Sequence, residues 1–190
     1  MKVALITVGG LLAALVIVVM MFIGINNKII DRDENVIQSW ANVEGVLQRR
    51  YDLIPNLVNT VKGFAGHEKE LLTEVTRLRS QWGAAKASGN TAQSVKTAGM
   101  LESALGRLMV VVEKYPDIKS NQNFLALQEE LAGTENRISV ERRRYNEAVA
   151  AYNKYIRKYP GSIIAGIKGY ERKTPFESAP EAAAAPVVEF

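Results

Sequence analysis

The sequence predicts an all-α protein: an N-terminal transmembrane helix followed by a long antiparallel bundle of about four helices. Three observations carry this. Val3 to Ile25 is uncharged and dense in Leu, Ile, Val, Ala and Met. From Ile29 to about Tyr159 apolar residues recur at three- and four-residue steps, the helical period. No segment alternates apolar and polar residues long enough to argue for a sheet.

The apolar run comes first. At 1.5 Å per residue its roughly 23 residues span about 35 Å, enough to cross a hydrocarbon core with modest tilt. A cleaved signal peptide is the rival reading, with Lys2 as a minimal charged start. The run is longer than a signal peptide's apolar region, and Gly24-Ile25-Asn26-Asn27-Lys28 offers no small-x-small cleavage site. An uncleaved anchor over residues 1–28 is therefore expected. Gly9-Gly10 is not a GxxxG pair, so it is a weak dimerisation cue. Sidedness stays open. Lys28, Arg32, Arg49 and Arg50 lean towards a cytoplasmic bundle, whereas the short positive start resembles a signal anchor that exports the rest of the chain.

The bundle is expected over residues 29–173. Its first run is Ile29, Val36, Ile37, Trp40, Val43 and Leu47, and it can continue directly from the anchor because only Asn26-Asn27 intervene. The second is Ile54, Leu57, Val58, Val61, Phe64, Ala65, Leu72, Val75, Leu78 and Trp82. Pro55 near its start predicts a break with Asp52 as N-cap, a kink being the alternative. Gly83 to Gln93 reads as the loosest loop. The third run holds Met100, Leu101, Ala104, Leu105, Leu108, Met109 and Val112 and stops at Lys114-Tyr115-Pro116-Asp117. The fourth holds Phe124, Leu127, Leu131, Ile138, Tyr145, Val149, Tyr152, Ile156 and Tyr159, ending at Pro160-Gly161. Amphipathic helices of this kind hide their apolar stripes by packing on one another.

The absence of cysteine excludes disulfides, thiolate metal sites, iron–sulfur clusters and cysteine nucleophiles. His67 is the sole histidine, and position 71 is Leu, so the zinc-protease helix motif is broken. A serine triad would also have to use His67, and no serine stands in a G-x-S-x-G elbow. There is no Walker or G-x-G-x-x-G sequence, and Gly99 and Gly106 read as sites of close packing. Glu113, Glu129, Glu130, Glu135 and Glu141 lack the Glu-x-x-His partners of a di-metal bundle. No catalytic, cofactor or metal residues are thus assigned. The net charge of +4 is mild and not massed in one run, which suits a solvated surface or anionic lipid better than nucleic acid.

The polar residues Glu135, Asn136 and Arg137, with Tyr145-Asn146 and Tyr152-Asn153, are read as register-fixing groups, with Glu44 and Arg50 as partners. Arg142-Arg143-Arg144 spreads around the helix at 100° steps and reads as solvated, offset by Glu141 and Glu147. The apolar segment 162–167 could pack on the bundle end, dock at the membrane interface or contact another subunit. The Ala/Pro/Glu-rich tail, residues 174–190, cannot bury enough to order itself, and its Val187-Val188-Glu189-Phe190 end could serve as a partner tag.

The block Gln48-Arg49-Arg50-Tyr51-Asp52-Leu53-Ile54-Pro55-Asn56-Leu57-Val58 resembles the LemA family. The resemblance continues through His67-Glu68, Tyr115-Pro116-Asp117, Asn123-Phe124 and Gly133-Thr134-Glu135-Asn136-Arg137-Ile138. It takes in Arg144-Tyr145-Asn146, Tyr152-Asn153, Pro160 and Ala165-Gly166, covering about Ile29 to Phe176. It implies a bacterial membrane protein with one N-terminal span, an antiparallel helical domain and no known reaction. A related magnetosome protein associated with membrane shaping makes scaffolding the natural analogy.

The function expected is a non-enzymatic, self-associating scaffold that organises or shapes a bacterial inner membrane. The alternative is an adaptor or regulator of a membrane protease, kinase or envelope-stress system. Expected partners are the lipid bilayer, further copies of the chain and a membrane protein; no nucleic acid and no cofactor are expected.

Overall fold

One helix, α1 (Lys2–Asp52), carries both the apolar run and the first amphipathic run without interruption. Asn26 and Asn27 cost a helix only about 0.5 kcal/mol each, too little to stop it when no proline follows. The structure, a computed structural model, describes residues 2–63 and 68–176, with side chains from Ile6 onward. After α1 come α2 (Ile54–Lys62), α3 (Lys69–Ala87), α4 (Thr91–Val112), α5 (Pro116–Lys119), α6 (Gln122–Arg157) and α7 (Gly161–Lys168). No strand occurs among the described residues, so the chain is all-α: a long apolar helix followed by helices that form a bundle.

The break before Pro55 is slighter than the sequence suggests. Asp52 closes α1 and accepts a hydrogen bond from Gln48 at 2.8 Å; it does not cap α2. Leu53 occupies the capping position in helical conformation, with φ −79° and ψ −22°, so no side-chain cap is needed. What Pro55 removes is the amide that would meet the Tyr51 carbonyl one turn back. Arg79 Nε on α3 donates to that carbonyl at 2.9 Å, which supplies the missing partner.

The Gly83–Gln93 stretch is a correction. Helix α3 runs on to Ala87, and the turn is only Ser88, Gly89 and Asn90. Gly89 takes the left-handed φ of +67° that reverses the chain. Asn90 then caps α4, its side chain accepting from the Gln93 amide at 3.0 Å. Alanine favours the helix, and that outweighs the glycine and serine that suggested a loop. A turn this short makes α3 and α4 an antiparallel pair. The proline stops hold: α4 ends at Val112 and α5 begins at Pro116. Asn121 caps α6, accepting from Asn123 and Phe124 at 3.0 and 3.1 Å.

The described residues divide into two compact units, one from residues 2–40 with 144–175 and the other from residues 41–63 and 68–143 with Phe176. In the second unit Leu47, Leu57, Leu78, Leu101, Leu105, Leu108 and Ile118 are all but inaccessible to solvent. Ser94 and Thr97 are buried on the same face of α4. Met100, expected on that face, is 45% exposed. In the first unit, α1 and the end of α6 run antiparallel over Ile29, Val36, Tyr145, Val149, Tyr152 and Ile156, all buried. Trp40 and Tyr145 pack with ring centroids 5.5 Å apart. Ile37, also expected inward, is 51% exposed.

Gly161 is required where the chain turns from α6 into α7. A Cβ there would stand 2.5 Å from the Tyr155 carbonyl oxygen, a backbone atom that cannot swing aside. Gly161→Ala is expected to cost about 1–3 kcal/mol by overpacking, read as a lowered denaturation midpoint at unchanged slope. Gly99→Ala and Gly106→Ala are the controls. A Cβ at either meets nothing within 4 Å, so the close packing expected of those glycines is absent.

Candidate functional site

The most chemically distinct surface is the first part of α1. Its large apolar side chains between Ile6 and Ile23 are mostly half to three-quarters exposed, Leu11 at 72% and Met20 at 68% among them. It is the one described helix long and apolar enough to cross a membrane. No described part of the chain covers it, and Cβ atoms added at Gly9, Gly10 or Gly24 would meet nothing. An apolar surface of this size is not left to water.

The second feature is a charge cluster inside the second unit. Arg50 on α1 pairs with Glu135 on α6, and Arg142, two turns further along α6, pairs with Glu102 on α4. Arg50 also faces the Glu102 carboxylate at 3.8 Å. The side chains of Arg50, Glu102 and Arg142 are only 11%, 15% and 21% exposed. Phe176 lies beneath the Arg142 guanidinium at 3.9 Å and is itself buried. Burial pushes the Glu102 carboxyl above its ordinary range, while Arg142 and Arg50 pull it back down. Beside the cluster, Tyr51 donates to the Ala98 carbonyl at 3.4 Å, and burial raises its hydroxyl far above the usual phenol range. The charges balance, two against two. They hold α1, α4 and α6 in one mutual setting, because each helix contributes a group that only the others neutralise.

The third feature lies in the first unit, where the segment after α7 is tied down. Asn153 donates to the Lys173 carbonyl and accepts from the Lys173 amide, both at 2.9 Å. Tyr145 donates to the Thr174 carbonyl at 2.9 Å. The Lys173 ammonium meets Asp33 at 2.8 Å and lies over the Tyr152 ring at 5.6 Å. Burial, with Asp33 and Tyr170 nearby, pushes the Tyr152 hydroxyl up to about 12. Asn153→Ala breaks both arms of the clamp and is expected to cost about 1–3 kcal/mol. Hydrogen exchange at the Lys173 amide should accelerate more than exchange at Tyr152.

These contacts sort the polar residues singled out from the sequence. Arg50 and Glu135 do pair, as expected. Glu44 makes no ion pair among the described residues, and Asn136 and Arg137 are exposed. Tyr145 and Asn153 hydrogen-bond the Lys173–Thr174 backbone and not Glu44 or Arg50, while the Tyr145 ring packs on Trp40 of α1. Arg142 is partly buried against Glu102, unlike Arg143, which is exposed. Glu102 escapes sequence reasoning altogether: a lone glutamate within an apolar run is the only signal. Of the carboxylates weighed for metal binding, Glu130 meets Arg49 at 3.3 Å and Glu135 meets Arg50. Among the described residues no three His, Asp or Glu side chains converge. His67, Phe64, Ala65 and the tail end Val187–Phe190 lie outside the described residues.

The LemA family model matches residues 39–190. Magnetosome protein MamQ 2 of Paramagnetospirillum magneticum is 29% identical over 81% of this chain and 65% of its own length. Magnetosome protein MamQ of Magnetospirillum gryphiswaldense is 28% identical over 74% and 60%. Protein LemA of Metamycoplasma hominis is 24% identical over 76% and 65%. The match therefore spans less than two thirds of those relatives. With four-fifths of its residues under that one family model, the chain belongs to the LemA family.

Proposed function

We propose that the protein is a single-pass, non-enzymatic scaffold of a bacterial inner membrane, whose anchored bundles associate with one another to organise or shape the bilayer. The observation that supports this most is the continuity of α1. The same helix that exposes its apolar run from Ile6 to Ile23 goes on, without a linker, to bury Ile29, Val36, Val43 and Leu47 in packed units. A helical joint of this kind couples the pose of the first unit to the bilayer, which a flexible tether would not do. The buried ionic groups are spent on one another, as befits a part that keeps its shape. Both MamQ relatives described above are named as magnetosome proteins, and the scaffold reading draws on them by analogy.

The test is the size of the full-length protein in two media. Light scattering in detergent and after transfer to lipid discs should give oligomers in both, with a regular arrangement visible by electron cryotomography of native membranes. A monomer in both media at high concentration defeats the scaffold. Crosslinking in native membranes that returns one heterologous partner in near-equal amount, without self-crosslinks, replaces it with an adaptor.

A further inference from the structure

Helix α7 buries only one side. Ile164 and Ala165 are 5% and 6% exposed, yet Ile163 and Ile167, one turn apart on the opposite face, are 47% and 66% exposed. Tyr159, just before it, is 82% exposed. Gly169, in left-handed conformation at φ +72°, ends the helix. The next residue, Tyr170, donates its hydroxyl to Asn26 Oδ1 at 3.3 Å. Asn26 comes directly after the uncharged run that ends at Ile25. The end of α7 therefore stands at the height where α1 leaves its apolar stretch.

A groove of about 450 Å³ opens in the same unit, lined by Arg32, Ala150, Ala151, Lys154, Tyr155 and Lys158. None of these lining residues is acidic. The Arg32 guanidinium lies over the Tyr155 ring at 5.0 Å. Asp33, next along α1, is already paired with Lys173. Arg32 is six residues beyond Asn26, about 9 Å along the helix axis. Helix α6 runs the other way, so Lys158, just past its end with its amide still bonded to the Lys154 carbonyl, stands closer to the apolar run than Tyr155 does. These cations thus fall within the depth of a headgroup layer, and the alanines leave room for a group the size of a phosphate.

We propose that this end of the first unit is a footing on an anionic bilayer surface. Ile163, Ile167 and Tyr159 insert at the boundary between headgroups and acyl chains, and Arg32, Lys154 and Lys158 receive lipid phosphates. The inference rests on reading α1 as the span. A lipid surface is the fitting occupant because the span fixes a bilayer at this height whatever else the protein binds. A short helix with isoleucines outward, an interfacial tyrosine and flanking lysines matches what such a boundary selects.

The cysteine-free sequence lets single introduced cysteines report alone. Full-length Ile163→Cys, Ile167→Cys and Leu12→Cys, each carrying an environment-sensitive fluorophore, are reconstituted in phosphatidylcholine vesicles with or without phosphatidylglycerol. Quenchers sit at shallow or deep positions on the lipid chains. Shallow quenching is expected at 163 and 167, at least about two-fold stronger with phosphatidylglycerol, and deep quenching at 12. Arg32→Gln/Lys154→Gln/Lys158→Gln should abolish the phosphatidylglycerol increment at 167, as should the single exposed change Lys158→Glu. An increment that survives both variants overturns the groove's role. Quenching at 12 with none at 163 and 167 overturns the footing and leaves the span standing. No quenching at any of the three overturns the span.

Discussion

Glu102→Ala is expected to destabilise the second unit by up to about 3 kcal/mol, because it strands the partly buried Arg142 charge and leaves the buried Arg50 with Glu135 alone. Glu102→Gln should cost less, since an amide oxygen can still accept from Arg142. Removal of the exposed Arg49–Glu130 pair, whose side chains are 60% and 43% exposed, should cost about 0.5 kcal/mol or less. Urea denaturation of the three variants tests the order. A Glu102→Ala cost as small as that of Arg49→Ala would show that the cluster is solvated and does not lock the helices. The pH dependence has a definite sign. Burial raises the Glu102 carboxyl, so the folded chain keeps that proton to higher pH than the unfolded chain does. Its contribution to stability is complete below the ordinary value of 4.5 and is lost as pH rises through the raised value. Glu102→Gln should remove that loss, so wild type should lose stability relative to the variant as pH rises across this window.

Trp82→Ala should cost about 3–5 kcal/mol, since it empties a fully enclosed indole site. Trp82 is 2% exposed and meets the Tyr51 ring edge-on, with centroids 4.7 Å apart. Its Nε1 is buried with no hydrogen-bond partner among the described residues. Trp82→Phe keeps most of the ring contact and deletes that unpaired donor, so it should cost no more than about 1.5 kcal/mol. Near-ultraviolet circular dichroism with thermal melts separates the two variants. A Trp82→Phe loss as large as that of Trp82→Ala would mean that the indole N–H has a partner, water included.

The sequence by itself determined the features whose rules act within one turn: the apolar run of α1, the proline stops at Pro116 and Pro160, and the apolar stripes of α4 and α6, but not the Gly83–Gln93 turn, which shrinks to Ser88–Asn90. The Arg50–Glu135 pair was legible because both are charges on otherwise apolar stripes. Tertiary structure decided what one-turn rules do not reach. Arg79 supplies the partner that Pro55 denies to the Tyr51 carbonyl, across 28 residues of chain. Arg142, and not its neighbour Arg143, turns inward because the rotation of α6 aims it at Glu102, 40 residues away. Phe176, just past the point where the sequence suggests disorder begins, is buried because the Arg142 guanidinium offers it a face. Spacing along a chain sets which side of a helix a residue occupies, but only the packing of distant segments sets what stands opposite it.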